Sequence, residues 1–126
     1  PLFLFMSDLF IHPEPFKADV CIDIDDVIEN KMDMYDKHKS QMYEWLPYNR
    51  GTLSQVPASD TDRRKWLGET RKPSSDANPY REKLIELYGN VRGTKIKYCE
   101  AFQDSGYGTK LTKENLSYYF PFLKNL

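Results

Sequence analysis

The fold is decided by the stretch Ala18-Asp19-Val20-Cys21-Ile22-Asp23-Ile24-Asp25-Asp26 together with the segment that follows it up to Trp45. Its first seven residues are mostly apolar and predict a short strand. Asp25 and Asp26 then offer side-chain acceptors and negative charge where a helix would begin. From Asp26 to Trp45 bulky apolar residues recur at helical spacing, and Pro47 is predicted to end the helix. A strand followed directly by a long amphipathic helix indicates the α/β class.

Further elements are predicted on both sides of this unit. Two prolines make the segment Ile11–Phe16 a loop, because each fixes φ and removes a backbone donor. In chain order the sequence predicts a buried strand Leu2–Met6, a helix capped by Ser59 and ended by Gly68, an exposed connection Thr70–Ala77, a helix begun by Asn78-Pro79 and ended by Gly89, a strand Lys95–Phe102 and a short helix from Thr112 through Tyr119.

Length and charge narrow the class of protein. The 126 residues suit a single region, 1–126, and the formal net charge of -1 removes any electrostatic argument for a nucleic-acid partner. No apolar run approaches the roughly 18 residues of a membrane span, and no secretory signal is recognised, so we expect no membrane partner and a cytoplasmic location. Cys21 and Cys99 lie in apolar or alternating runs and are predicted as free core thiols, with a disulfide as the alternative.

His38 is the most informative candidate for chemistry. It lies four residues after Met34 and four before Met42, so a continuous helix would place it, partly buried, on a face of bulky side chains. Gln41 follows on the same side, and Ser40 lies two residues after His38. A histidine there is either a general acid, a zinc ligand, a donor that orients a ligand or a core residue.

Carboxylates supply the other candidates. Glu100 stands between Cys99 and Ala101, where burial would raise its pKa and suit proton transfer; an edge-strand carboxylate facing solvent is the alternative. Asp23, together with the two aspartates that follow it at the strand-to-helix junction, predicts either helix capping or a ligand site.

A complete metal centre is not predicted. His12-Pro13-Glu14 offers a nitrogen and a carboxylate close in sequence, but an ordinary loop histidine explains it. A zinc hydrolase needs at least three protein ligands, and the chain has only two histidines. There is also no Gly-rich phosphate loop and no nucleophile elbow.

Several segments, in order from about Leu2 to Phe122, resemble the C-terminal half of the PIG-L (LmbE-like) zinc-dependent N-acetylglucosaminyl deacetylase family. The segments that carry this resemblance are Phe5-Met6-Ser7-Asp8 with Pro15–Ile24, the helix from Lys31 through His38-Lys39-Ser40-Gln41, the run Met42–Pro47, and Lys97-Tyr98-Cys99-Glu100-Ala101-Phe102.

The resemblance implies a Rossmann-like three-layer domain and a hydrolase that removes the acetyl group from an N-acetylated sugar. In the family, zinc activates water and polarises the amide carbonyl, and a carboxylate acts as general base. The family's metal motifs, A-H-P-D-D-E and a later H-x-x-H-type segment, are absent, and His12-Pro13-Glu14 follows the wrong strand to replace the first. We therefore expect zinc to belong to a missing N-terminal half or a complementary chain, with no metal held by this one and no activity on its own.

The same resemblance assigns candidate site residues. His38, Ser40 and Gln41 match the family's helix motif, and Glu100 matches an acidic position of its late strand. They are expected on the substrate side of the site or behind the metal ligands, and no catalytic residue is assigned.

A second hypothesis is a non-catalytic carbohydrate-binding or protein-interaction module that keeps this half of the fold. Aromatic residues would supply its contact surface, namely Tyr43, Trp45, Tyr48 and Trp66. Whether the chain forms a homo-oligomer is left open by the sequence.

Overall fold

The structure, a computed structural model, describes residues 1–8, 11–12 and 14–123. It combines helices with an antiparallel sheet, and the chain divides into two compact units. Unit 1 comprises Pro1–Asp23 and Ala77–Leu126, and unit 2 comprises Ile24–Asp76. The α-helices are α1 (Ile28–Lys37), α2 (Leu46–Asn49), α3 (Asp60–Arg71), α4 (Arg81–Gly93) and α5 (Lys113–Tyr119), and a π-helix spans Ser40–Trp45.

Three strands of unit 1 form the sheet in the described part of the chain. They are β1 (Leu2–Met6), β2 (Val20–Asp23) and β3 (Cys99–Gly108), in the order β1-β3-β2. Both pairings are antiparallel. The prediction of mixed helix and strand is confirmed; the Rossmann-like three-layer arrangement stays a prediction.

The strand predictions need two corrections. The strand at Leu2–Met6 is confirmed, but the side chains of Phe3 and Phe5 are each 52% exposed, because β1 lies at the edge of the sheet and one of its faces is open. The late strand begins at Cys99 instead of Lys95 and continues to Gly108. It extends because β1 offers pairing partners, with Leu2 opposite Gly108.

The core of unit 1 lies between the sheet and α4. Leu84 and Leu87 of α4 belong to one buried hydrophobic cluster with Cys21 of β2 and Ala101 of β3. Burial of these apolar side chains is the main favourable term in folding this unit.

Cys21 and Cys99 are buried in this core as thiols that form no disulfide, as predicted. Cys21 pairs with Ala101, and Asp23 pairs with Cys99, so the two cysteines are diagonal neighbours on one face of the sheet. Diagonal positions lie about 7–8 Å apart, beyond the usual Cα span of a disulfide. A hydrogen bond with Cys99 and burial both raise the pKa of the Cys21 thiol.

The helix α4 begins at Arg81, later than the predicted start at Asn78-Pro79, and it is broken at the predicted end, Gly89. A 3-10 turn, Asn78–Tyr80, precedes it, and the backbone leaves the helical region at Gly89, whose φ is 75°. The chain then makes a further turn to Gly93. The short helix that Thr112 caps is also confirmed as α5.

Unit 2 differs most from its prediction. The long helix expected from Asp26 to Trp45 is interrupted, because α1 ends at Lys37 and His38 has φ −88° and ψ 58°. Pro47 lies inside α2 and does not end the run, since a proline is tolerated in the first turn of a helix. Asp25 and Asp26 lie in a 3-10 turn, and no side-chain cap begins that turn or α1.

The remaining helix of unit 2 is longer than predicted. Ser59 caps α3 by accepting a hydrogen bond from the Asp62 N–H at 3.2 Å, but the helix passes Gly68 and ends at Arg71. The connection expected to be exposed contains the buried Ser75, whose hydroxyl accepts a hydrogen bond from Lys31 at 2.9 Å. At its end, the N–H of the buried Ala77 bonds to the Lys97 carbonyl at 3.0 Å.

The helices can also be compared with the dimensions of a bilayer. Within the residues that the structure describes, none is long and apolar enough to cross a membrane.

Replacing Gly93 by alanine is expected to destabilise the chain strongly. A Cβ at this position would lie 2.6 Å from both the Ile85 Cα and the Leu84 carbonyl oxygen, so backbone must move at a cost above about 2 kcal/mol. The matched control is Gly68→Ala in α3, where a Cβ meets ordinary contacts at 3.6 and 3.7 Å and helix propensity gains up to about 1 kcal/mol. Thermal unfolding followed by circular dichroism should give a lower Tm for G93A and an equal or higher one for G68A; a wild-type Tm for G93A would contradict the close approach.

Candidate functional site

A groove on unit 2 gathers part of the predicted site. Its volume is about 580 Å³, and its exposed lining is mainly apolar. The residues that line it are Ser40, Gln41, Glu44, Trp45, Tyr48 and Leu53. It therefore brings together two of the four residues that the sequence singles out, Ser40 and Gln41.

The local helix explains why these side chains line one side. Gln41 and Trp45 are four residues apart, as are Glu44 and Tyr48, so they follow one face of the π-helix and α2. The opposite face carries the buried Met42 and Tyr43, which pack with Leu67 of α3. Packing of this buried face turns the polar and aromatic face outward.

Two aromatic side chains dominate the open face of the groove. Trp45 is 57% exposed, and Tyr48 is 71% exposed. Gln41 and Glu44 stand beside them with an amide and a carboxylate. Such a groove, apolar with a few polar groups, is typical of a small-molecule site.

A partly buried hydrogen bond fixes the π-helix to α1. The Tyr43 hydroxyl donates to the Asp36 carboxylate at 2.5 Å across the break at His38. Burial, and then this carboxylate, raise the pKa of Tyr43, so the phenol stays protonated and remains a donor. The Tyr43 ring also lies 6.2 Å from the Trp66 ring of α3.

Ion pairs join α1 to α3 within unit 2. Arg64 donates to Asp33 at 2.7 Å and to the Glu29 carboxylate at 3.1 Å, and Lys72 also pairs with Glu29. Lys72 first and Arg64 second lower the pKa of Glu29. Each exposed pair contributes little by itself, but the shared partners link the two helices as a network.

His38 is not the half-buried residue that helical spacing predicts. It is exposed at the break after α1, and Met34 on the predicted apolar face is 68% exposed. The prediction is wrong because it required a continuous helix through residue 38. His38 does not line the groove, although it lies only two residues before Ser40.

Glu100 belongs to unit 1, whereas His38, Ser40 and Gln41 belong to unit 2. It is half-buried on β3 opposite Ile22, and β3 is the central strand of the described sheet. The edge-strand alternative is therefore wrong for Glu100.

Asp23 has partners within unit 1. Its carboxylate accepts from Arg92 at 3.0 Å, and its backbone N–H donates to the Tyr88 hydroxyl at 3.0 Å. These bonds give Asp23 a structural role at the end of β2.

The described side chains do not fit a zinc ion. Among residues 1–8, 11–12 and 14–123, no group of three or more His, Cys, Asp and Glu is arranged to hold a metal. Of the sequence His12-Pro13-Glu14, Pro13 lies outside the described residues, and the other two side chains are exposed on unit 1.

Comparison of the chain with protein-family models, with curated proteins and with solved structures found no match. The resemblance to the PIG-L family accordingly stays a prediction.

The sequence indicated only part of the groove. Of the four predicted contact aromatics, Trp45 and Tyr48 line the groove, whereas Tyr43 is buried and Trp66 packs against it. The sequence does not single out Glu44 or Leu53. Glu44 had a usable signal, since it lies three residues after Gln41 and four before Tyr48. Leu53 has no such signal, because it lies after the turn at Gly51 and outside the helical face that carries the other lining residues.

Replacing Tyr43 by phenylalanine tests the bond that fixes the π-helix. We expect Y43F to lower the free energy of unfolding by about 2 kcal/mol, because the bond to a charged acceptor is lost and Asp36 loses its buried donor. Urea denaturation of the full chain measures this change. Y48F is the matched control, since Tyr48 is 71% exposed and its substitution should leave stability unchanged; equal stability of Y43F and wild type would contradict the assignment.

Proposed function

We propose that this chain is the C-terminal portion of a zinc-dependent N-deacetylase of N-acetylglucosamine-type sugars, and that its own part is to bind the sugar in the groove beside Trp45. The observation that carries the proposal is the meeting of Ser40 and Gln41, the residues matching the family's helix motif, with two exposed aromatic side chains. In this proposal the chain forms the second part of a Rossmann-like three-layer domain.

The groove has the chemistry that a sugar needs. One face of a pyranose ring carries mainly C–H groups, which pack on an aromatic face such as those of Trp45 and Tyr48. The hydroxyl and acetamido groups need donors and acceptors, which the Gln41 amide and the Ser40 hydroxyl provide in both senses. Glu44 adds a carboxylate that accepts from sugar hydroxyls.

The proposal assigns no step of hydrolysis to this chain. Its described side chains offer no group suited to a metal, so zinc is assigned to a missing N-terminal half or a complementary chain. Gln41 and Ser40 would hold the acetamido group in position, and Trp45 would shield one face of the sugar from water. The absence of a disulfide between the thiols of Cys21 and Cys99 supports a cytoplasmic location.

Binding of an N-acetylated disaccharide tests the groove. Calorimetric titration of the full chain with N,N′-diacetylchitobiose should show one site, and Trp45→Ala should weaken binding at least tenfold because the stacking face is lost. Tyr48→Ala should weaken it less severely. Tyr107→Ala is the matched control, since Tyr107 is 71% exposed like Tyr48 but lies on β3. Unchanged binding by W45A would overturn the sugar site.

The assignment of zinc to another half gives a separate prediction. The purified chain, incubated with zinc and dialysed, should retain no stoichiometric metal and release no acetate from N-acetylglucosamine. Metal analysis and an acetate assay measure the two outcomes. Retention of one zinc per chain with acetate release would show that the chain holds a complete metal centre, against the proposal.

A non-catalytic carbohydrate-binding module is the second candidate, and the exposed aromatic pair in the groove favours it. The two candidate functions differ in the sequence that we expect to be encoded upstream of this chain. A His-Pro-Asp-Asp segment encoded in frame upstream would favour the deacetylase, and its absence would favour the module.

A further inference from the structure

A second, smaller cavity in unit 2 is also mainly apolar, but two arginines line it, which the groove lacks. Its volume is about 160 Å³, and it shares no lining residue with the groove. Its polar lining comes from Arg50, Thr52, Gln55, Thr70 and Arg71. Two arginines therefore line one small pocket, together with the apolar residues Met42, Pro47 and Trp66.

The charge of these guanidinium groups is not neutralised within the described chain. Arg71 is half-buried, and burial first and the Arg50 charge second lower its pKa. Among the described residues, Tyr35 acts in the opposite sense on this pKa, and no described carboxylate contributes. Among the described residues, neither Arg50 nor Arg71 forms an ion pair.

Other cationic side chains of unit 2 form ion pairs with carboxylates. Arg63 pairs with Asp60 at 3.7 Å, Arg64 pairs with Asp33 at 2.7 Å, and Lys72 pairs with Glu29. Acidic side chains are thus available along α1 and α3, but they do not reach the pocket. Two like charges that are held together without an acid favour an anionic ligand between them.

We propose that the pocket lined by Arg50 and Arg71 binds the phosphoryl group of a small phosphorylated ligand or of free phosphate. A phosphate group carries nearly two negative charges at neutral pH and three acceptor oxygens, which match two guanidinium forks. A carboxylate carries one charge and would leave one guanidinium without a partner.

The other polar groups of the pocket divide into two kinds. The Thr52 hydroxyl donates to the Pro47 carbonyl at 3.4 Å, and the Thr70 hydroxyl donates to the Trp66 carbonyl at 2.9 Å. Both hydroxyl protons are donated to backbone carbonyls, so the two arginines and the Gln55 amide supply the hydrogen-bond donors to the ligand. This inference does not rest on the proposed sugar site, because its residues are different.

Titration with anions of different chemistry tests the pocket. The full chain is titrated calorimetrically with inorganic phosphate, glycerol 3-phosphate and acetate, with ionic strength held constant by sodium chloride. We expect at least one of the two phosphates to bind in a 1:1 ratio and acetate to bind at least tenfold more weakly. Tighter binding of glycerol 3-phosphate supports a phosphomonoester ligand, and tighter binding of inorganic phosphate supports free phosphate.

Charge-matched variants connect the binding to the pocket. Arg71→Gln and Arg50→Gln should each weaken phosphate binding at least fivefold, whereas Lys65→Gln removes the same charge from an exposed position of α3 and should leave binding unchanged. Arg71→Lys keeps the charge without the fork and should fall between wild type and R71Q.

Thermal unfolding separates lost binding from lost folding. Without phosphate, R71Q should melt at or above the wild-type Tm, because a half-buried charge and its repulsion from Arg50 are removed. Phosphate should raise the Tm of the wild type but not that of R71Q. Equal binding of acetate and phosphate, equal loss in K65Q and R71Q, or unchanged binding in R71Q would each overturn the phosphoryl site.

Discussion

The pairing of β3 with both other strands is the constraint on which unit 1 depends. Its residues Cys99–Phe102 pair with β2, and Phe102–Asp104 and Gly108 pair with β1, from the start of the chain. The same unit fixes the two points where the chain leaves and re-enters it. Asp23 is held by Arg92 and Tyr88, and Ala77 is held by the Lys97 carbonyl. Segment Ile24–Asp76 is thereby a long insertion whose two ends are anchored by backbone and ionic contacts.

Local signals allowed most element positions to be predicted. The cap at Ser59, the cap at Thr112 and the end at Gly89 each depend on a residue whose chemistry acts within a few positions, and the structure confirms them. The break at His38 could not be predicted, because apolar spacing continues through it. The hydrogen bond from Tyr43 to Asp36 crosses this break. It depends on the π-helix, which the spacing of apolar residues does not predict. The missed break affects the candidate site most, because the predicted burial of His38 assumes an unbroken helix.

The segment from Ser40 to Gln55 serves three purposes in unit 2. Its inner face, with Met42 and Tyr43, packs on α3, and its outer face lines the groove. Its last part brings Arg50 to the second cavity beside Arg71. One short helical segment therefore determines both the aromatic platform and the cationic pocket. A sugar and a phosphoryl group would contact separate side chains, so affinity for one could change in evolution without loss of the other.

The two buried thiols have a practical consequence. Because Cys21 and Cys99 are enclosed by the sheet and α4, and because the raised pKa of Cys21 disfavours its reactive thiolate, alkylating reagents would reach them only when the sheet opens. The rate of their modification would then measure how often β2 separates from β3, a slow opening that equilibrium melting does not resolve. The chain thus carries its own reporter of local unfolding, at the strand pair from which unit 2 departs.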